Sequence, residues 1–107
     1  MINNGRGGVA SLVEGTVVTA EFGVDGRVAG SGGCNRFSGP HMLDGAALAI
    51  GPVAATRRAC LAPEGVGEQE AAYLAALARV ATWSFREERL QLRAADGALQ
   101  VDYRAAP

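Results

Sequence analysis

Apolar and polar residues alternate near the end of the chain: Leu90 and Leu92, then Leu99, Val101 and Tyr103, are separated by Gln91, Arg93, Gln100 and Asp102. A period of two predicts strands with one buried face and the polar set turned to water. Three Asp-Gly pairs, Asp25-Gly26, Asp44-Gly45 and Asp96-Gly97, interrupt apolar runs, and Asp-Gly accepts the positive φ of tight turns. They predict three hairpins, joining residues 16–22 with 27–31, 37–43 with 46–50, and 89–94 with 98–103. Residues 82–86 read as a further strand that turns through Glu87-Glu88. Over residues 67–81 the period changes: Ala71, Leu74, Leu77 and Val80 or Ala81 recur at helical spacing, with no Gly or Pro inside. Glu68 and Glu70 in the first turn and Arg79 near the last suit the helix dipole. The helix is expected to lay Leu74, Leu77 and Ala81 on the concave side of the sheet, near Trp83 and Phe85. Strands, one helix and strands again, without βαβ alternation, give a mostly antiparallel α+β domain.

Length and composition narrow the functional classes. At 107 residues and 11.0 kDa the chain is one domain. Of its 52 apolar residues 21 are Ala, so the core is thin and a cross-link would help it. The net charge is −1 and no run of five like charges occurs, which argues against nucleic acid and anionic membrane surfaces as partners. All ten basic side chains are Arg, so neither Schiff-base chemistry nor a phosphate-loop Lys is available. The longest apolar stretch, residues 71–78, is far short of the roughly 18–20 residues a spanning helix requires. Residues 1–8 hold no apolar h-region, so no secretory signal is expected within them.

The segment Gly30-Ser31-Gly32-Gly33-Cys34-Asn35-Arg36-Phe37-Ser38-Gly39 is the most distinctive. It lacks Gly-Lys-Ser/Thr, and Asn35 stands where a dinucleotide fingerprint has its third Gly. Ser31 sits in a sequence like a nucleophile elbow, but the chain is too short for the hydrolase sheet that elbow needs. The glycines are expected to allow bulges or close backbone approach where the sheet bends. His41, the single histidine, is expected to face solvent or be hydrogen-bonded. Cys34, His41 and Cys60 form too sparse a set for a metal site, and Cys34 with His41 supplies the composition of a thiol protease without its context. No metal and no cofactor is expected. Cys34 and Cys60 read either as a staple or as two buried free thiols; closing that loop would contribute about 3–4 kcal/mol in the chain-entropy model.

The Gly30–Gly39 segment, Ile50-Gly51-Pro52, Thr56-Arg57-Arg58-Ala59-Cys60, Glu70-Ala71-Ala72-Tyr73-Leu74-Ala75-Ala76-Leu77, and finally Leu90-Gln91-Leu92 with Asp96-Gly97-Ala98-Leu99 together resemble a META domain of the HslJ type, in the right order over nearly the whole chain. The resemblance implies a strongly curved antiparallel meander, like a cracked barrel, with one helix packed on it. It also implies a Cys34–Cys60 disulfide and an exported, periplasmic or cell-envelope protein linked to heat shock or antibiotic tolerance, of a family with no established enzymatic activity. Two departures stand out. Arg58 replaces a residue that is usually apolar, and the family's first strand, Trp-x-Leu, has no counterpart, so residues 1–107 read as one META domain without that strand.

The leading expectation is a noncatalytic envelope domain that acts by binding, with Asn35, Arg36, Phe37, Arg57 and Arg58 as the binding surface. One alternative is a carrier of lipid or another apolar ligand, resembling a secretion pilotin, with a cavity lined by residues such as Phe22, Phe37, Leu77 and Trp83. The other is a small hydrolase using Ser31 or Cys34. An unknown protein or apolar ligand is the expected partner, and the membrane would be reached only through an anchor outside this chain. Self-association is expected through the sheet edge that the missing strand leaves open, unless residues 9–13 cover it.

Overall fold

A computed structural model describes residues 2–3, 9–10, 15–60 and 62–104. In chain order the elements are β1 (Ile2–Asn3), β2 (Val9–Ala10), β3 (Val18–Phe22), β4 (Arg27–Gly32), β5 (Arg36–Asp44), β6 (Ala47–Ile50), β7 (Ala54–Ala55), α1 (Val66–Arg79), β8 (Val80–Arg86), β9 (Arg89–Ala94) and β10 (Leu99–Arg104). Every strand pair is antiparallel, and the order across the sheet is β2-β1-β10-β9-β8-β6-β5-β4-β3, with β7 paired to β5. The sheet curls into a nearly closed barrel with an unsealed seam, as the family resemblance implied. All three Asp-Gly turns form, with φ of 83° at Gly26, 60° at Gly45 and 88° at Gly97.

Helix α1 lies along the seam and ties its two sides. On one side Gln69 Nε2 donates to Thr16 Oγ1 at 3.0 Å, and the Tyr73 hydroxyl donates to the Thr19 carbonyl of β3 at 3.2 Å. On the other, the Tyr103 hydroxyl of β10 lies 2.6 Å from that of Tyr73. Tyr73 has one proton and gives it to Thr19, so Tyr103 is the donor in this second bond. Burial pushes both phenols above their ordinary pKa, which keeps these donors protonated. Arg79 Nε adds a 2.9 Å bond to Gln100 Oε1.

The core is Ile2, Val28, Phe37, Leu48, Ile50, Tyr73, Ala76, Leu77, Val80, Leu92 and Val101. Helix α1 contributes to it a face that differs in part from the expected one. Its buried residues are Val66, Glu70, Tyr73, Ala76 and Leu77, while Leu74 is half-buried. Ala81 lies in β8 because the chain turns extended at Val80. Phe85 is exposed, since it stands near the end of β8, beyond the helix.

Gln100 is a second correction: it is buried, not turned to water. Leu99 pairs with Arg93 and Val101 with Leu92, so two steps along β10 oppose one along β9. This bulge breaks the alternation. Gln100 then turns to Arg79 and to the Ala98 carbonyl. Asp102, also expected to face water, has a side chain only 6% exposed and pairs with Arg89 at 3.4 Å.

At the N-terminal end, β1 lies beside β10, with Ile2 opposite Val101, and β2 pairs with β1. Of the 9–13 stretch, Val9 and Ala10 form β2; residues 11–13 lie outside the described residues.

Candidate functional site

The loop between β4 and β5 carries Cys34 and Asn35, and α1 sends Glu70 into it. Glu70 Oε2 accepts the backbone N–H of Cys34 at 3.0 Å and that of Asn35 at 2.6 Å, while Oε1 accepts Asn35 Nδ2 at 2.8 Å. Asn35 reaches the 56–58 segment in turn. Its Oδ1 accepts from Thr56 Oγ1 at 2.9 Å and from the Arg58 N–H at 2.7 Å, and its Nδ2 also donates to the Arg58 carbonyl at 3.1 Å. All four hydrogen-bonding positions of the amide are used. The Arg58 guanidinium donates to the Cys34 carbonyl at 3.1 Å. The Cys34–Cys60 disulfide, with Cα atoms 6.2 Å apart, joins the same two segments at a separation such bonds span.

A carboxylate in this position is costly unless it is bonded. Burial raises the Glu70 carboxyl, but the hydrogen bonds from Asn35 and Cys34 outweigh it and hold the group below its ordinary value of 4.5. The glycines make the approach feasible: a Cβ at Gly32 would lie 2.7 Å from Glu70 Cγ, and Gly33 has φ of 112°. This is the close approach the Gly-rich segment was expected to permit.

The structure divides the expected binding surface. Asn35 is 9% and Phe37 3% exposed, the first consumed by the network and the second packed edge-on against Tyr73 in the core. Arg36, Arg57 and Arg58 remain exposed. Of the residues named for an interior cavity, Phe37 and Leu77 are core residues, and Phe22 and Trp83 pack against the core. Ser31 stands opposite Arg36 in the β4–β5 ladder, five residues from His41 along β5, about 16 Å in an extended strand. His41 is 7% exposed, edge-on to Phe22, and its Nδ1 has no hydrogen-bond partner among the described residues. It was expected to be solvated or bonded; the inward parity of β5 at Phe37, Gly39 and His41 buries it instead. Among the described residues no group of three or more His, Cys, Asp or Glu is placed to hold a metal.

Sequence reading missed Glu70, treating it as a polar first-turn residue. The signal was present: Val66, Glu70, Tyr73 and Leu77 follow the 4, 3, 4 spacing of one helix face, so a carboxylate stands in the middle of the buried stripe.

A model of the META domain matches residues 5–106. The chain belongs to the META domain family. Two solved structures are similar to this META domain. One, an NMR structure of a protein from Burkholderia xenovorans, is 27% identical with a TM-score of 0.70, covering 94% of this chain and 72% of its own. The other, also an NMR structure of a protein, is 29% identical with a TM-score of 0.59, covering 79% and 69%. A comparison with curated proteins found no match. The disulfide is compatible with an oxidising, exported compartment.

On the far side of α1 from the seam runs a groove. Toward the C-terminal end of the helix, a space of about 380 Å³ is lined by Ile50, Pro52, Val53, Leu74, Leu77 and Ala78. A space of about 320 Å³ continues it, between Val53, Ala55 and Arg57 on one wall and Gly67, Ala71 and Leu74 on the other. The two share Val53 and Leu74. At the N-terminal end a third space, about 480 Å³, lies among Cys60, Glu64, Gly67, Glu68 and Ala71. The disulfide and the Glu70–Asn35 network fix the wall opposite the helix.

Proposed function

We propose that this META domain is a noncatalytic, stress-linked module of the bacterial cell envelope that binds a partner in the groove between α1 and residues 50–57. The observation that carries the reading is the continuity of the groove along the exposed side of α1, with one wall held rigid by Glu70, Asn35 and the Cys34–Cys60 bond. A site built on a fixed wall loses little conformational freedom on binding. The absence of enzymatic activity belongs to this proposal. It is supported by the bonding of Cys34 to Cys60 and by the distance along β5 between Ser31 and His41. Export is supported by the disulfide, and the stress link by the resemblance to HslJ-type domains.

The test places a photo-crosslinking amino acid at Ala71, inside the groove, or at Thr82, exposed on β8, in the chain exported in a bacterial host. The expected result is a discrete adduct, with protein or lipid, at position 71 and none at 82. Equal labelling at both positions, or none at 71, overturns the reading.

A further inference from the structure

Among the described residues strand β7 pairs on one side only: Ala55 pairs with Phe37 and Ala54 with Ser38 of β5. The Thr56 N–H donates to the Arg36 carbonyl at 3.0 Å, which makes Thr56–Arg36 a hydrogen-bonded pair. In an antiparallel ladder such pairs alternate with pairs whose N–H and C=O point outward. Ala55, one residue along, therefore turns its N–H and C=O away from β5. It lines the groove together with Val53. Across from Val53 and Ala55, Gly67, Ala71, Leu74 and Ala78 follow the 4, 3, 4 spacing of one helix face, and the small residues Gly67, Ala71 and Ala78 leave the space open; a Cβ at Gly67 would meet nothing within 4 Å.

We infer that the groove takes an extended polypeptide segment, which adds to the outer edge of β7 as a strand and lies against α1. This rests on the binding reading above and names the partner's chemistry. Bare strand edges bind extended chains through the backbone, and flanking pockets choose side chains. Here the pockets differ in charge along the groove. Ile50, Val53, Leu74 and Leu77 make the end near Ala78 apolar. Arg57, exposed and without an ion pair among the described residues, stands in the middle. Glu64 and Glu68 stand at the far end. The complementary segment has β-branched apolar residues first, then a carboxylate, then a cation. The run from Glu68 to Ala78 is about 15 Å of helix, the length of four or five extended residues.

The probe is acetyl-Val-Thr-Val-Asp-Val-Lys-amide, together with its reverse sequence, titrated into the full chain with detection by ¹H–¹⁵N NMR. Saturable binding below about 1 mM by either peptide, with the Ala55 amide newly protected from exchange, is expected. N-methylation of alternate peptide nitrogens on the edge-facing side should weaken binding at least tenfold. Arg57→Glu should weaken it about tenfold, and a probe with Lys in place of Asp should recover it on that variant. Ala71→Trp, on an exposed position and checked for an unchanged melting temperature, should abolish binding. If binding survives N-methylation but not Ala71→Trp, addition to β7 is wrong and the groove reading stands. If neither peptide binds, or the adduct at position 71 is a lipid, the polypeptide inference is overturned, while the groove reading is decided by crosslinking at Ala71 against Thr82.

Discussion

Glu70 and Asn35 make two hydrogen bonds with each other, the carboxylate accepting the backbone N–H of Asn35 at 2.6 Å through one oxygen and its side-chain amide at 2.8 Å through the other. Helix α1 thereby holds the β4–β5 loop by backbone and side chain together, and Asn35 passes the constraint to Thr56 and Arg58. The groove's wall rests on this contact together with the Cys34–Cys60 disulfide.

Replacing Glu70 by Ala leaves the N–H groups of Cys34 and Asn35 and one amide hydrogen without their acceptor, and should cost about 2–4 kcal/mol of stability. The pH dependence follows from the direction of the shift. Because the folded carboxyl sits below 4.5, the stabilisation is fully present above the unfolded-state value and is lost as pH falls through the folded one. Urea midpoints measured from pH 7 to pH 2 should fall more steeply below about pH 4.5 in the wild type than in Glu70→Gln. Parallel curves would refute the assignment.

Tyr73→Phe removes the hydroxyl that joins β3 to β10 across the seam. Stability should drop by about 1–2 kcal/mol, and amide exchange should quicken in β3 more than in β9, since the seam opens locally before the rest. Uniform acceleration across both strands would mean that the seam is held by other contacts.

Leu77 is 1% exposed, whereas Leu74 lies half-buried beside the groove. Leu77→Ala should cost about 2–5 kcal/mol and Leu74→Ala roughly 1–2 kcal/mol. Chemical denaturation of the two variants separates them, and a larger loss at Leu74 would show that the helix is rotated from the position described.

Glu87 and Glu88 form the two-residue β8–β9 turn with φ of 53° and 63°, a left-handed conformation that costs side chains other than Gly and Asn roughly 1 kcal/mol each. The double change to Asn-Gly should raise stability by about 1 kcal/mol, read as a higher melting temperature with the groove unaltered. A lower one would mean that the glutamates gain elsewhere what the turn loses.

The elements themselves were largely legible. Asp25-Gly26, Asp44-Gly45 and Asp96-Gly97 mark their turns because positive φ is a local demand, and Leu90, Leu92, Val101 and Tyr103 mark a strand face because the pleat has a fixed period. Family membership was legible as short motifs in a fixed order, and the Cys34–Cys60 pairing only through the resemblance those motifs carry. What the residue order did not reveal is set by contacts between distant segments. The bulge at Gln100 shifts the parity of β10, since register is chosen by what packs across the strand. Asn35, polar and in a loop, reads as surface, but the tertiary fold brings Glu70, Thr56 and the Arg58 backbone around it, and a buried amide with every bond made is favourable where an exposed one is merely tolerated. The groove, too, exists only because the sheet curls and seats α1 on its seam, leaving one edge of β7 unpaired among the described residues, beside the small residues of the helix.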